Sequence, residues 1–457
     1  MALLGRMLEH ASMNIPHPPA VTWRTHLSLA LLALVYIFSV IDRQIIAILM
    51  EPIKREFGAS DTQMGLLSGL AFGLFYAALG VPVGKLADKY NRRMIVAVCC
   101  SLWSLATLAC GFAGQFWQLL LARMSVAIGE AGGMAPSISL VSDLYPPKQR
   151  STVISLFMTG PNLAVVIGLS LGGWIAQQYG WRSTFLFFGV PGIVLGLLVW
   201  WLIKEPMRGG FDAVSPGAVS KESNEVAEPL WQQITRLLQI EAFRRVAFAC
   251  GIAGLAGYAY GVWTPSFLVR THALSLAHAG LMFGFASGFG ALVGGLFSGW
   301  LCDRLVQRDV RWQVGLPMLG VLISLPCVMA FLLWPSEGLW VWGTLQIPHA
   351  MVFAIAFGFF ASWWPSLSYS AISHMVRSTE RGVAAALLNF FITLFGIGVG
   401  PLLTGIISDL LTPSLGAQAL RWSLVWVMLL LIPTAILLAM SLQGYREQWQ
   451  RMYKESN

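Results

Sequence analysis

The stretch GKLADKYNRR, residues 84–93, sets one acidic and four basic residues between two apolar runs. A weaker copy, GWLCDRLVQRD at 299–309, keeps Gly, Leu, Asp and a following basic residue in register. Two further stretches, beginning at Arg150 and at Arg381, align without gaps at the corresponding place in each half of the chain. Internal repeats related by an axis along the membrane normal are typical of carriers that rock around a central site. The repeat therefore predicts two related halves.

The apolar runs around these stretches are too long and too frequent for a water-soluble protein. Of the 457 residues, 56% are hydrophobic and only 11% are charged, which leaves too little polar surface to cover a globule. Crossing ~30 Å of hydrocarbon takes ~20 helical residues, and the chain supplies such runs repeatedly. We predict an all-α polytopic membrane protein with twelve transmembrane helices in two pseudo-symmetric six-helix bundles. The predicted helices span residues 26–50, 62–82, 94–113, 117–141, 152–178, 184–203, 244–268, 277–301, 312–334, 339–370, 382–408 and 420–443.

The distribution of basic residues predicts the orientation. With both termini in the cytoplasm, 22 of the 29 Lys and Arg residues lie in cytoplasmic segments and five in outer loops. Such a bias places the more basic segments inside. The start of the chain lacks the pattern of a removable signal peptide, so we expect a multi-pass protein of the cell (inner) membrane. The net charge of +8 then reflects this topology and contact with membrane lipids, and we expect no nucleic-acid partner.

A polar segment, GGFDAVSPGAVSKESNEVAE at 209–228, separates the two halves and reads as a flexible linker. The following PLWQQITRLLQI has the apolar spacing of a helix that lies flat on the cytoplasmic face. The predicted domains are a cytoplasmic N-terminal segment 1–23, a six-helix bundle 24–203, a linker with amphipathic helix 204–243, a second six-helix bundle 244–443 and a cytoplasmic tail 444–457.

Apparent signatures of enzymes do not fit their sequence context. GLSLG at 168–172 matches G-x-S-x-G but lies inside an apolar helix, where small residues four apart serve packing. GVPVGKL at 80–86 is one residue short of a phosphate-binding loop and lacks its Ser or Thr. The six cysteines show no paired CxxC spacing, and no HExxH motif occurs. The sequence therefore predicts no enzyme, no metal and no cofactor.

GKLADKYNRR resembles the signature that the major facilitator superfamily carries between its second and third helices. Within that superfamily, the Asp-Arg pair of the first helix, ARMSVAIGEA at 122–131 and SDLYPPKQRSTVISLF at 142–157 resemble the spinster group. The finer resemblance covers the first five helices. It implies proton-linked movement of amphiphilic lipids such as lysophospholipids or sphingosine phosphates.

Four charged residues fall inside predicted membrane helices and away from their ends: Asp42 and Arg43 in the first, Arg123 and Glu130 in the fourth. A lone charge in hydrocarbon costs ~2.5 to 3.5 kcal/mol or more, and Asp42 and Arg123 have matching depths. We therefore predict that Asp42 pairs with Arg123. Arg43 either pairs on the face of Glu130 or extends toward the outer surface, and we favour extension to the surface or a structural partner. Glu130 lies near mid-membrane, where burial favours the neutral acid and a nearby arginine favours the carboxylate, so we expect it to couple protons. The alternative is that these charges only lock the two helices together.

The repeated loop also predicts a gate on the cytoplasmic side. An acidic residue four before an arginine at a helix end can form an ion pair and hold that side closed. A positive-inside loop without a gating role is the alternative. The candidate gate residues are Gly84, Asp88, Arg92, Arg93, Asp143 and Arg150.

The second half contrasts with the first, because its helices carry almost no charge away from their ends. Aromatic and polar side chains there are candidates to line an apolar half-cavity, although packing is the safer interpretation for any one of them. The candidate cavity residues are Tyr258, Trp263, His349 and Asn389. A charged half facing an apolar half suits a molecule with an ionic head and a hydrocarbon tail.

Three interpretations compete. The first is a proton-linked carrier of amphiphilic lipid, and the second is a proton-coupled carrier of a small organic anion such as a sugar acid, held by Arg123. The third is a membrane enzyme or receptor on the same scaffold, which the missing catalytic spacings disfavour. We expect protons and the lipid or organic anion as the chain's partners, and a monomer.

Overall fold

A computed structural model describes residues 21–209, 211, 229–342, 345–377 and 380–456. The first half consists of six helices. These are α1 (Trp23–Phe57), α2 (Asp61–Ser68 and Leu70–Lys89), α3 (Arg92–Gly111), α4 (Phe116–Glu130 and Met134–Leu144), α5 (Pro147–Tyr179) and α6 (Trp181–Leu202). Most of the polar linker 209–228 lies outside the described residues.

The second half begins with the short amphipathic helix α7 (Leu230–Gln239), as its spacing predicts. The remaining elements form the second bundle. They are α8 (Glu241–His272), α9 (Leu276–Val306), α10 (Trp312–Leu333), the strands β1 (Leu339–Trp342) and β2 (Leu345–Pro348), α11 (Met351–Ala361 and Trp363–Met375), α12 (Arg381–Phe391, the π-helical Ile392–Val399 and Gly400–Leu415) and α13 (Ala419–Met428 and Leu431–Ser456).

The prediction of a helical membrane protein is confirmed. In the part of the chain that the structure describes, 11 helical stretches are long and apolar enough to cross a membrane. The last of them, Arg381–Met452, has 72 residues and contains the two final predicted helices. The stretches therefore accommodate the twelve predicted crossings.

One predicted helix was wrong in its first part. Within the predicted helix 339–370, the described residues 339–342 and 345–348 form two antiparallel strands, in which Trp340 pairs with Ile347. The helix begins only at Met351, is interrupted at Ser362 and ends at Met375. Short apolar runs do not distinguish strand from helix by hydropathy, and the aromatic and β-branched residues of this run favour a strand.

The stretch GLSLG is part of α5 and packs on α1. A Cβ atom on Gly168 would lie 3.2 Å from Cβ of Gln44, and one on Gly172 would lie 3.3 Å from Cγ2 of Ile45. The glycines thus let two helices approach closely, in agreement with the packing interpretation.

The two halves meet at one end of the bundle. Following the predicted orientation, we call the end with the loop between α1 and α2 the outer end, and the end with the loop between α2 and α3 the inner end. Near the outer end, a Cβ on Gly73 of α2 would lie 2.9 Å from the backbone nitrogen of Gly398 in α12. Near the inner end, a Cβ on Gly84 of the same helix would meet no atom within 4 Å. Along α2 the halves therefore touch outside and separate toward the inside.

A buried ion-pair cluster joins the halves at the outer end. Arg270, at the end of α8, donates to Glu51 of α1 at 2.7 Å and to both carboxylate oxygens of Asp61 in α2, at 2.7 and 2.8 Å. Asp61 is 1% exposed and also accepts from Lys54 and from the Ser408 hydroxyl of α12, the latter at 2.6 Å. We call these residues the outer clamp. Sequence analysis missed the clamp because each member lies at a helix end, where charge is ordinary.

The start of α2 is held by the other half as well. The Asp409 carboxylate of α12 accepts hydrogen bonds from the backbone N–H groups of Asp61 and Thr62, at 3.0 and 2.7 Å. These N–H groups have no partner within the helix, and the helix dipole favours an anion there. Asp409 therefore ties α12 to the first turn of α2.

We expect Asp61→Asn to weaken the outer clamp and to shift the protein toward an outward-open state. The neutral amide loses charge-assisted bonds to Arg270, and each such bond contributes ~1.5 to 3 kcal/mol, so the ratio of states should change about tenfold or more. The measurement is labelling of a cysteine at Gln44 of α1, which lines a space between the two halves, by a membrane-impermeant thiol reagent added from outside. Labelling should rise.

Asp309→Asn is the matched control, because Asp309 forms a surface pair with Arg311 within the second half. Protein without the added cysteine controls for the native thiols. Unchanged labelling in folded Asp61→Asn protein would show that the clamp does not hold the outer end closed.

Candidate functional site

The first half buries an ion pair that sequence analysis ranked second. Arg43 Nε donates to Glu130 Oε2 at 2.8 Å, and its guanidinium also donates to the Ser39 hydroxyl at 3.1 Å. Ser39 in turn donates to the same Glu130 oxygen at 2.9 Å. The expectation that Arg43 extends to the outer surface was wrong, because α1 turns this side chain toward α4, where Glu130 is 2% exposed.

Asp42 and Arg123 lie together, but not as the predicted carboxylate–guanidinium pair. Arg123 donates from one terminal nitrogen to the backbone carbonyl oxygen of Asp42 at 3.2 Å. The Asp42 carboxylate instead accepts from the hydroxyl of Thr107 in α3, at 2.9 Å. The matching depths were right, yet the rotation of α1 points the carboxylate to α3.

Arg123 retains capacity to bind an anion. Its side chain is 1% exposed, and its Nε atom is buried without a hydrogen-bond partner in the described residues. Its guanidinium carbon lies 5.4 Å from the centre of the Phe72 ring, which adds a cation–π contact. Arginine presents several donors in a planar fork that matches carboxylate and phosphate oxygens.

A cavity of about 480 Å³ lies between the halves and reaches these residues. Its first-half wall mixes apolar residues such as Val40 and Phe72 with charged and amide side chains. The latter are Arg43, Gln44, Arg123 and Asn162. Its second-half wall is mainly aromatic and apolar. Among its residues are Tyr258, Tyr260, Phe283, Phe357 and Trp364. The cavity therefore offers a cationic surface on one side and a hydrocarbon-compatible surface on the other.

Of the four candidate cavity residues, Tyr258 lies in the cavity wall. The other three lie elsewhere in the described structure. Trp263 is buried and donates to the backbone oxygen of Pro401 at 2.9 Å, and Asn389 accepts from Tyr369 at 3.2 Å. His349 follows the β-hairpin with its ring 4.4 Å from that of Trp340. It is therefore part of the hairpin's packing and not of the cavity wall.

At the inner end, Arg92 is the centre of a buried network. It donates to Asp143 at 2.5 Å, to Glu205 at 2.8 Å and to the Ser139 hydroxyl at 2.8 Å, and it is 2% exposed. Glu205 also accepts from the backbone N–H of Arg93 at 2.9 Å. The prediction that Asp143 joins the gate residues agrees with this geometry. Glu205 was missed, and its position directly after an apolar helix was the available signal.

The remaining gate candidates lie outside the contacts of Arg92 described above. Arg150 donates to the backbone oxygen of Tyr145 at 3.2 Å. Arg93 donates to the backbone oxygen of Ile203 at 3.0 Å. The Asp88 side chain lies outside the described part of the structure, so its pairing stays a prediction. Gly84 lies on a face of α2 with open space beside it.

We expect Arg43→Gln to destabilise the protein through Glu130. Removing one partner of a buried pair leaves the other charge uncompensated, which costs ~3 kcal/mol. The double variant Arg43→Gln with Glu130→Gln removes both charges and should recover much of that loss. The measurement is thermal unfolding of purified protein. Arg311→Gln breaks an exposed pair as the control and should cost less than ~1 kcal/mol. A double variant as unstable as the single one would contradict the pairing.

A model of the family described as Major Facilitator Superfamily matches residues 32–401. A protein of Mycolicibacterium smegmatis (strain ATCC 700084 / mc(2)155) named MFS-type efflux pump is 34% identical over 405 residues, 88% of each chain. Sphingosine-1-phosphate transporter SPNS2 of Danio rerio is 26% identical over 438 residues, which cover 90% of this chain and 82% of that protein. The probable galactarate/D-glucarate transporter GudP of Escherichia coli (strain K12) is 24% identical over 399 residues, which cover 82% and 85% respectively.

Among solved structures, the chain is similar to a bacterial homologue of the human lysosomal transporter spinster in an inward-facing, unoccupied conformation. The TM-score is 0.81 at 26% identity, and the match covers 93% of this chain and 98% of that chain. The similarity extends over nearly the whole of both molecules.

Proposed function

The chain belongs to the Major Facilitator Superfamily, and from this membership we propose that it is a proton-linked secondary carrier of an amphiphilic anionic lipid. Lysophospholipids and sphingosine phosphates are the classes intended. Transport would proceed by alternating access, with the two halves rocking around the central cavity.

The observation that carries this proposal is the two-walled cavity. Arg43 and Arg123 line the first-half wall, and the opposite wall is uncharged and contains five aromatic side chains. An anionic head group gains charge-assisted hydrogen bonds at Arg123, while a hydrocarbon tail gains apolar contact with Phe283 and Phe357. The similarity to SPNS2, whose name states a sphingosine phosphate, supports the same substrate class.

Proton linkage is assigned to Glu130. It is buried, it lies beside two arginines of the cavity, and its ion pair with Arg43 reaches the cavity wall. A substrate anion at Arg123 or a movement of Arg43 changes the field at Glu130, and protonation in turn changes the net charge that the substrate meets. Glu130 therefore meets the requirement for an acid that loads a proton in one state and releases it in another.

A small organic anion is the second candidate substrate. Arg123 alone can hold a carboxylate in bidentate geometry, and the similarity to GudP, whose name states galactarate and glucarate, favours this class. A sugar acid would leave the aromatic wall without an apolar partner. We therefore rank it below the lipid.

The proposal includes topology and assembly. Both termini lie in the cytoplasm, the protein resides in the inner membrane as a monomer, and residues 24–203 and 244–443 act as the two moving bundles. The network around Arg92 serves as the inner gate, with Asp88 as a member. The chain acts as a carrier and not as an enzyme.

The substrate class is tested by uptake into proteoliposomes of lysophospholipid, sphingosine phosphate, galactarate and galactonate, each with and without a pH gradient. We expect transport of a lipid, and we expect Arg123→Ala to weaken substrate affinity about tenfold or more by loss of charge-assisted bonds. Trp364→Ala should weaken lipid transport and leave sugar-acid transport unchanged. Arg182→Ala is the control, since Arg182 pairs with Glu56 at the outer end. Transport of sugar acids alone would establish the second candidate, and transport of none would refute both.

Glu130→Gln is expected to keep substrate binding and exchange without a gradient, but to lose acceleration by a proton gradient. Glutamine preserves size and hydrogen bonding but cannot exchange a proton. The measurement compares substrate flux across imposed pH gradients for the wild type and the variant. A variant that still responds like the wild type would remove Glu130 from the coupling role and make Asp42 the next candidate.

A further inference from the structure

A second, much smaller cavity lies directly beside Glu130. It encloses about 10 Å³ that the centre of a water molecule can occupy, which is room for about one water. Its polar lining includes Ser39, Trp103, Glu130 and Ser137. The cavity is mostly enclosed by α1, α2, α3 and α4 of the first half.

Two buried polar atoms of this lining have no hydrogen-bond partner in the described structure: Oε1 of Glu130 and Nε1 of Trp103. Glu130 is 2% exposed and Trp103 is 0% exposed. Leaving such groups unpaired costs ~1 to 3 kcal/mol each, so natural proteins satisfy them with ordered water where space allows. One water can accept from the indole N–H and bond to the carboxyl at the same time.

Two glycines of α4 allow the backbone to pack closely against the Trp103 indole beside this cavity. Helix α4 is interrupted after Glu130, and Gly133 lies in the interruption. A Cβ on Gly133 would lie 3.2 Å from the Trp103 ring, and one on Gly129 would lie 2.8 Å from its Cβ. The two glycines therefore admit the large ring at close range.

The cavity lies on the inner side of Glu130. Helix α4 runs from the outer to the inner end, so Met134 and Ser137 of the lining are nearer the inside than Glu130 is. Helix α1 runs in the opposite direction, so Val35 and Tyr36 are nearer the inside than Ser39. Ser137 donates its hydroxyl to the backbone oxygen of Gly133 at 2.6 Å and keeps its lone pairs for an incoming donor.

We propose that Trp103 and Glu130 hold one water molecule in this cavity, and that this water passes the proton of Glu130 toward the inner end. Trp103 is a positioning residue: its N–H donates to the water oxygen, so that a lone pair of the water faces the Glu130 O–H and one of its hydrogens faces Oγ of Ser137. In the transfer, the O–H bond of the Glu130 carboxyl breaks as a new O–H bond forms on the water. One of the water's original O–H bonds breaks as its proton bonds to Oγ of Ser137, and Ser137 releases its own hydroxyl proton to water on the inner side, so that no atom is gained or lost.

The relay rests on the proposed proton coupling at Glu130, whereas the water site itself does not. The titratable and charged groups that face Glu130 from the packed elements remain in place in the variants below. Asp42 and Arg43 of α1 and Arg123 of α4 act on Glu130 directly. Tyr76 of α2 lines the same small cavity, Tyr258 of α8 acts on Arg43, and Cys99 of α3 lies beside Gly132.

The test compares Trp103→Phe with Trp363→Phe. Both tryptophans are buried with an unbonded Nε1, but Trp363 lies in α11 of the second half. The water site is read by infrared spectroscopy, as the carboxylate or carboxyl band of Glu130, which is identified because Glu130→Gln removes it. We expect that band to shift in Trp103→Phe and to remain in Trp363→Phe. An unshifted band in Trp103→Phe overturns the water site.

The relay is read by flux in proteoliposomes. Trp103→Phe should slow gradient-driven transport about tenfold, the order of change expected for loss of one buried hydrogen bond, and should enlarge the difference between rates in H₂O and D₂O. Exchange without a gradient should stay within about twofold of the wild type. Equal loss of both activities, or normal gradient-driven transport, overturns the relay. Ser137→Ala is the second variant if Trp103→Phe does not fold, and the same outcomes decide it.

A wild type that ignores the pH gradient refutes the proton-linked function and the relay together. The infrared band still decides the water site in that case. Failure of the proposed function and failure of the water site are thus separate results.

Discussion

Arg43 and Glu130 form an ion pair in which the Glu130 side chain is fully buried, whereas the Arg43 side chain is 22% exposed at the wall of the central cavity. A buried charge is tolerated only with a partner of good geometry, and the shared hydrogen bonds of Ser39 complete that geometry. The pair therefore fixes how α1 is rotated against α4. Once α1 has this rotation, Asp42 must face α3 and Thr107, and Arg123 is left with the backbone oxygen of Asp42 as its bond to α1. Because Glu130 pairs with Arg43, it forms no hydrogen bond with Arg123 in the described structure, and Arg123 can therefore bind an anion.

Buried charges also need partners at the outer end. There, however, the ion pairs restrict the movement of one half against the other. Arg270 joins α8 to α1 and α2, so its ion pairs link the halves instead of helices within one half. Close glycine contacts between α2 and the π-helical part of α12 lie next to this clamp. A π-helical segment widens the helix locally and is frequent at functional sites. The outer end is thus held by a small number of strong contacts that a change in charge or substrate can release together.

The cavity wall contributed by the second half contains no charge that must be balanced in the described lining. The two walls therefore differ in charge, because the folded structure places charged residues of the first half opposite uncharged residues of the second half. Tyr258 and Trp364 come from different helices, yet both reach the space in front of Arg123. A substrate that spans the cavity contacts both halves at once, and it can then couple its own binding to their relative position.

The sequence by itself determined the membrane environment, the helical architecture and the identity of the charges that need partners. These properties depend on local composition, because the free energy of placing a segment in the membrane is the sum of favourable apolar and unfavourable charged contributions along it. It also indicated Arg92 and Asp143 as neighbours at the inner end, because both flank short loops of one half. Only the tertiary structure decided that Glu130 pairs with Arg43, that His349 belongs to a hairpin and that Arg270 closes the outer end. The partner of a side chain depends on helix rotation and on contacts between residues far apart in the chain. Hydropathy and periodicity specify neither.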